Sequence, residues 1–344
     1  MLTTTSGSYP KPDYLPLQNP SRGDPTRNYS DYLAAPPRDA KERFERGTRE
    51  AVRDQVEVGI DIPTDGEIRR EHYIYYHCRH LRGFSFDDLA VKEMRDGSWR
   101  ARVPTIGRPI EAGAPFLAED WRSAQAVTER PVKITVPGPM TIADSTVDTY
   151  YGDQRRLGAA LADALNVEIR ALADAGCTWI QVDEPLFARR PEGALAYGID
   201  HLSRCFHGVP AGVTRVVHVC CGYPAELDMD DYPKADPHVY ATLADALEAA
   251  EIDAFSLEDA HRHNDLALLE RFSSTKILLG LVDVGRSRVD PVDEIVERLR
   301  AALYHIDADR LIAAPDCGLN LLDRATALAK LGNLVAAAKI VGPS

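Results

Sequence analysis

Long apolar runs are missing from this 344-residue chain, and none approaches the roughly 18 residues that a bilayer-crossing helix needs. The opening stretch, MLTTTSGSYPKPDYLP, has neither a basic n-region nor an apolar h-region. A secretory signal is therefore not expected, and the cytoplasm is the expected location. Positive charge is in deficit, with 40 Lys+Arg against 53 Asp+Glu and a net charge of −13. A nucleic-acid backbone or an anionic membrane surface would be repelled, so neither is an expected partner. Cysteine is scarce too: Cys78, Cys177, Cys205, Cys220, Cys221 and Cys317 are too few for a disulfide scaffold in a chain this long. They read as core residues or metal ligands. Internal repeats and low-complexity tracts are lacking, and 44% hydrophobic with 27% charged residues excludes a disordered chain.

What the chain does have is an alternation of short β-branched runs and amphipathic helical patterns, the signature of a parallel sheet with crossover helices. Strand runs fall at residues 3 to 6, 58 to 64, 132 to 137, 178 to 183, 215 to 220, 253 to 257, 276 to 282 and 310 to 314. Helical periodicity covers 39 to 57, 155 to 175, 238 to 251, 290 to 305 and 322 to 340. Although the length equals about two average domains, eight strand-helix units predict a single (β/α)8 TIM barrel of the α/β class spanning 1 to 344. Residues 68 to 130 are too long for one crossover. With an alternating stretch around Trp99 and a helical run from Phe116 to Thr128, they read as an inserted hairpin and helix over the barrel mouth. The Pro-rich first 37 residues read as an ordered but irregular leading segment.

Chemically capable side chains gather where the strand runs stop. They are Ser8, Asp65 to Glu67, Asp183 and Glu184, His218 to Cys221, Glu258 and Asp259, Asp283, and Asp316 and Cys317. Barrel active sites are built from these C-terminal strand ends, so the residues converge on one mouth. His218 and Cys220 stand two apart on a strand and point the same way, while Cys221 points the other way. Cys317 offers a further sulfur and Glu258 an oxygen. Zinc accepts such a mixed sulfur, nitrogen and oxygen set in a tetrahedral shell, whereas magnesium and calcium prefer oxygen alone. A pair of core residues is the alternative for His218 and Cys220 taken by themselves.

Seven motifs in order carry a family resemblance: Thr4 to Pro10 (TTSGSYP), Pro63 to Glu67 (PTDGE), Val136 to Thr141 (VPGPMT), Gln181 to Pro185 (QVDEP), His218 to Cys220 (HVC), Ser256 to Glu258 (SLE) and Pro315 to Leu319 (PDCGL). The chain resembles the cobalamin-independent methionine synthase superfamily over nearly its whole length, in its short single-barrel form. The resemblance implies a (β/α)8 barrel with His218, Cys220, Glu258 and Cys317 as zinc ligands. It also implies that Ser8, Glu67 and Asp183 bind the amino and carboxylate groups of homocysteine. Physical chemistry agrees with those roles. A free thiol is mostly protonated at pH 7, whereas a metal-bound one is deprotonated yet still nucleophilic. Two carboxylates suit an ammonium group, and a hydroxyl suits a carboxylate.

Some positions depart from the family pattern. Full-length two-barrel members carry a histidine after the seventh strand; here Asp283-Val284-Gly285-Arg286-Ser287 puts Gly285 in its place. Asp283 and His261 are the candidates for that proton transfer, with His263 beside His261. Ser145 stands where those members stack a tryptophan on folate, so the methyl donor is either methyltetrahydrofolate or a methyl-corrinoid, free or protein-bound. The expected function is methyl transfer to homocysteine. The alternative is alkyl transfer to another thiol or electrophile, as in epoxyalkane:coenzyme M transferases; a barrel zinc hydrolase and a noncatalytic zinc module fit less well. His72, His77, His80 and Cys78 read as a lid lining the pocket and not as a second metal centre, Arg286 as a surface residue, and Trp121, Trp179 and Phe187 as packing.

Overall fold

The computed structural model describes residues 1–15, 25–94, 99–236 and 238–342. Two strands, β1 (Arg82–Met94) and β2 (Trp99–Glu111), pair antiparallel as a hairpin with two register shifts. The remainder are β3 (Ile134–Pro137), β4 (Val147–Asp148), β5 (Trp179–Asp183), β6 (Thr214–Val219), β7 (Ala254–Leu257), β8 (Lys276–Gly280) and β9 (Leu311–Ala314). Six of these, in the order β3-β5-β6-β7-β8-β9, form one parallel sheet. Strands β3, β5, β7 and β9 are buried along their whole length, as a parallel sheet covered on both faces requires.

Residues 3 to 6 and 58 to 64 do not form regular strands, contrary to expectation. They contribute single parallel bridges: Thr3 to Ala313 of β9, Thr4 to Ile62, and Thr64 to Lys133. The helix before the second run persists through Val58 and ends on Gly59, whose φ of 109° is the left-handed cap that glycine adopts without strain. Only the tail of that run is therefore free to bridge.

The five expected helices are present as Ala40–Val58, Gln154–Ala175, Val239–Glu248, Val292–Ala302 and Arg324–Val341. Asp153 and Asp323 cap two of them, accepting from the Arg156 and Thr326 N–H at 3.0 and 2.7 Å. A further helix, Pro25–Ala34, stands where an irregular segment is expected; of that segment, 16–24 lie outside the described residues. Tertiary contacts hold it, since the Arg79 guanidinium lies over the Tyr29 ring and donates to the Thr26 carbonyl at 2.8 Å. The hairpin is tied to the segment after β3: β2 pairs with β4, and Lys92 Nζ donates to the carbonyls of Asp144 and Thr146. A helix, Leu117–Gln125, follows it.

Along the sheet, side chains of one face stack in layers of period two. Trp179, Val216, Ala254, Leu278 and Ile312, with Ile62, form a separate apolar cluster. Two residues further along the same strands stand Gln181, His218 and Ser256, and four further stand Asp183, Cys220 and Glu258. The layering takes one face from apolar packing to polar chemistry within a single strand length.

Candidate metal centre

His218, Cys220 and Cys317 present one imidazole nitrogen and two sulfurs that all lie within 4.8 Å of one another. His218 and Cys220 are buried and Cys317 is partly so. Cys221, one residue on, belongs to the core behind the sheet, as strand alternation requires. The imidazole is oriented by Ser256, whose hydroxyl is 2.9 Å from Nδ1. Nε2 is buried and has no hydrogen-bond partner. A buried orphan nitrogen beside two sulfurs is a donor set fitted to a thiophilic cation, and zinc suits it. The Cys220 thiol is held well below the usual range, first by a hydrogen bond from Cys317 and then by His218 and the Lys234 cation. Cys317, the donor, is pushed up correspondingly.

Asp316 assembles the loops that carry these groups. Its carboxylate accepts from the N–H groups of Asp259, Ala260 and His261 at 2.9, 2.9 and 2.7 Å, clamping the loop after β7 to the loop that holds Cys317. Arg298 holds Asp259 in turn, at 2.6 and 2.8 Å.

Glu258 departs from the expected four-ligand set. It is buried near the sulfurs, yet its carboxylate is taken up by Lys234, with Nζ 2.9 Å from each oxygen, and by the Cys221 N–H at 3.0 Å. Burial pushes this carboxyl up, and Lys234 opposes that.

The three residues expected to bind an amino acid lie close to these donors and to one another. Ser8 packs against the glycine after Cys317: a Cβ added at Gly318 would fall 2.0 Å from the Ser8 hydroxyl. Glu67 has a φ of 53°, a left-handed backbone unusual outside glycine. Its carboxylate accepts from the Thr135 hydroxyl at 2.6 Å, and the buried Arg70 guanidinium lies 3.4 Å away. Asp183 pairs in register with His218 and accepts from Gln181 Nε2 at 2.7 Å. Burial pushes its carboxyl up to about 7, against the pull of His218. Its neighbour Glu184 does a different job. It accepts from the Met140 and Thr141 N–H groups and the Thr141 hydroxyl, capping the turn after β3.

His261 Nδ1 and Asp283 Oδ2 meet at 3.3 Å. Burial works to raise the Asp283 carboxyl, but hydrogen bonds from His261 and the Gly285 N–H at 2.8 Å hold it below the usual range. The His261 ring stands 5.1 Å from Tyr232, which in turn faces Lys234. By contrast, His72, His77 and His80 form no metal cluster with Cys78 among the described residues.

Sequence reasoning placed Ser256 in a motif without giving it a role, and passed over Lys234 and Arg70. Ser256 was findable, because it lies two residues before Glu258 on the β7 face that pairs with His218. Lys234 sits in an irregular loop whose fold has no local signal.

Comparison with known proteins agrees over nearly the whole chain. Residues 1–340 match the family described as "Cobalamin-independent synthase, Catalytic domain". A methionine synthase of Sulfolobus acidocaldarius is 32% identical across 98% of this chain and 91% of its own, and one of Saccharolobus solfataricus is 30% identical across 98% and 94%. Among solved structures, the B12-independent methionine synthase of Shewanella sp. W3-18-1, in complex with selenomethionine, superimposes with a TM-score of 0.87 at 30% identity, covering 98% of this chain and 97% of that one. The chain belongs to the cobalamin-independent methionine synthase family.

Proposed function

We propose that this chain is a zinc-dependent methyltransferase that moves a methyl group onto the thiol of homocysteine, giving methionine. One observation carries the reading: the buried His218, Cys220 and Cys317 donors with an unpartnered imidazole nitrogen among them. Zinc held by these residues, with Glu258 as a fourth, exchangeable ligand, supplies a cationic centre that keeps a bound thiol deprotonated near neutral pH.

The chain's own residues do the rest. Asp183 and Glu67 bind the α-ammonium group of the acceptor, and Ser8 donates to its carboxylate, so the sulfur is directed toward the two cysteines. Thr135 and Arg70 hold the Glu67 carboxylate in place. The donor is methyltetrahydrofolate or a methyl-corrinoid, free or on a protein. With the folate, His261, oriented by Asp283, returns a proton to the nitrogen that loses the methyl group; a corrinoid keeps the electron pair on its cobalt and needs none. The selenomethionine bound to the Shewanella relative is a close analogue of the proposed product and supports an amino-acid pocket here.

The same reading takes the fold as a single (β/α)8 barrel over 1 to 344. Its support is the run of parallel bridges that leads from β9 through Thr3 and Thr4, Ile62 and Thr64 back to Lys133 beside β3. In this reading residues 68 to 130 are an insertion that covers the mouth. We also assign the reaction to the cytoplasm, where six unpaired thiols suit a reducing compartment. No helix among the described residues is long and apolar enough to cross a membrane.

The test is direct. Zinc-loaded protein incubated with homocysteine and a panel of methyl donors should yield methionine with at least one of them, and Cys317→Ser should abolish the yield. Equal turnover by metal-free protein would overturn the reading. Turnover with a different thiol and none with homocysteine would favour the alkyltransferase alternative.

A further inference from the structure

We propose that Lys234 is a positioning residue that receives the Glu258 carboxylate whenever a substrate sulfur takes its place on the metal. The inference rests on the zinc reading above and deepens it. Lys234 and Glu258 are both buried, with side-chain exposures of 7% and 6%, and Nζ touches both carboxylate oxygens at 2.9 Å. The Cys221 N–H adds a third contact at 3.0 Å. Off the metal, Glu258 therefore rests in a site that satisfies its charge and its hydrogen bonds together.

The loop is shaped to deliver that lysine. Ala235 donates from its N–H to the Cys221 carbonyl at 2.8 Å, folding the loop back over the end of β6. Gly222 permits the approach: a Cβ there would fall 2.6 Å from the Pro233 carbonyl and 3.3 Å from Lys234 Cγ. Arg262 ties the Ala235 carbonyl to the loop after β7 at 2.6 Å. Ala235, the residue after Lys234, is thus fixed both to Cys221 beside Cys220 and to the loop that follows Glu258.

Charge accounts for the role. A carboxylate expelled into a buried site without a partner is costly, so an acceptor cation lowers the free energy of the exchange. With a metal held by His218, Cys220 and Cys317, an incoming thiol that gives its proton to solvent would take the place of the Glu258 carboxylate, one anion for another, and Lys234 would neutralise the carboxylate released. Lys234 also lies over the Tyr232 ring, which faces His261, so the exchange is adjacent to the proton-transfer pair.

The experiment uses the full chain loaded with cobalt(II), whose ligand-field and sulfur-to-metal charge-transfer bands report coordination independently of turnover. Homocysteine should raise the sulfur band in the parent protein. In Lys234→Met it should bind at least roughly tenfold more weakly, as expected when one partner of a buried charge pair is removed, while a competing chelator should remove the metal more slowly. Lys234→Arg should recover most of the thiol affinity. In an E258Q background, Lys234→Met should have little further effect, because the charge it neutralises is gone; a merely structural role would persist there. A Lys234→Met protein that binds homocysteine within about twofold of the parent would overturn the role of Lys234 alone. A parent protein whose cobalt spectrum ignores homocysteine would overturn the zinc reading and this inference with it.

Discussion

Two stretches of the chain are rich in histidine and cysteine, and only one of them brings its donors together. The segment Tyr75–His80 (YYHCRH) is a single helical turn and a half. Its His80 ring lies flat on Phe116 with centroids 3.8 Å apart, His72 stacks on Tyr75 at 4.3 Å, and His77 Nδ1 engages the Tyr73 carbonyl at 2.8 Å. Burial pushes the Cys78 thiol well above its usual range and His72 down to about 4, so these groups stay neutral. At the end of β6, two residues one strand repeat apart face a cysteine that arrives from a loop nearly a hundred positions later. The lesson is that local density of ligand types is a poor guide to a metal site. A helical turn fans its side chains outward, whereas strand ends of a parallel sheet aim theirs at one point.

The largest expected effect breaks the comparison on the strand side. Cys220→Ser or Cys317→Ser should lower zinc affinity by more than the roughly 10–100-fold typical of losing an outer hydrogen-bond partner. Cys78→Ser should leave zinc content unchanged, as measured by elemental analysis of purified protein. Zinc that stays bound in Cys317→Ser and leaves in Cys78→Ser would reverse the assignment.

Next comes the outer partner itself. Ser256→Ala frees the imidazole to rotate, and zinc affinity by chelator competition should fall roughly 10–100-fold. An unchanged affinity would mean that the 2.9 Å contact with Nδ1 does not orient the ligand.

A pH series sharpens the account of the acceptor. Burial holds the Asp183 carboxyl at about 7, so it is largely protonated below that pH and ionised above it. Homocysteine affinity, measured calorimetrically on zinc-loaded protein, should rise as pH increases through 7. In Asp183→Asn that part of the rise should be absent, and identical profiles would remove Asp183 from the ammonium site.

The smallest effect belongs to the helical stretch. His80→Ala removes a stacked ring and should cost about 1 kcal/mol of stability in denaturant unfolding, with no change in zinc affinity.

Much of this was legible in the sequence, for reasons that the strands make plain. Six of the eight strand runs are short, mostly apolar and largely buried segments bounded by polar or glycine residues, so the pattern marks them. The first two were expected as strands too, but their pairing consists of single bridges at Thr3, Thr4, Ile62 and Thr64, and the helix before Ile62 runs on to Gly59. His218 and Cys220 were readable from period two. Cys317 became a partner for them through its position three residues past the strand run 310 to 314, a non-local inference that the Asp316 clamp makes physical. Lys234 was not readable at all. Its place depends on a loop that closes through Gly222 and Ala235, and nothing in the residues 223 to 234 announces that closure. The helix Pro25–Ala34 was missed for a related reason, since Arg79 holds it from a distant turn.

The most direct measurement is zinc-edge X-ray absorption on the metal-loaded protein before and after homocysteine is added. Two sulfur neighbours before and three after, with the loss of an oxygen, is the predicted result. A sulfur count that stays the same would mean that no thiol reaches the metal and would contradict the account.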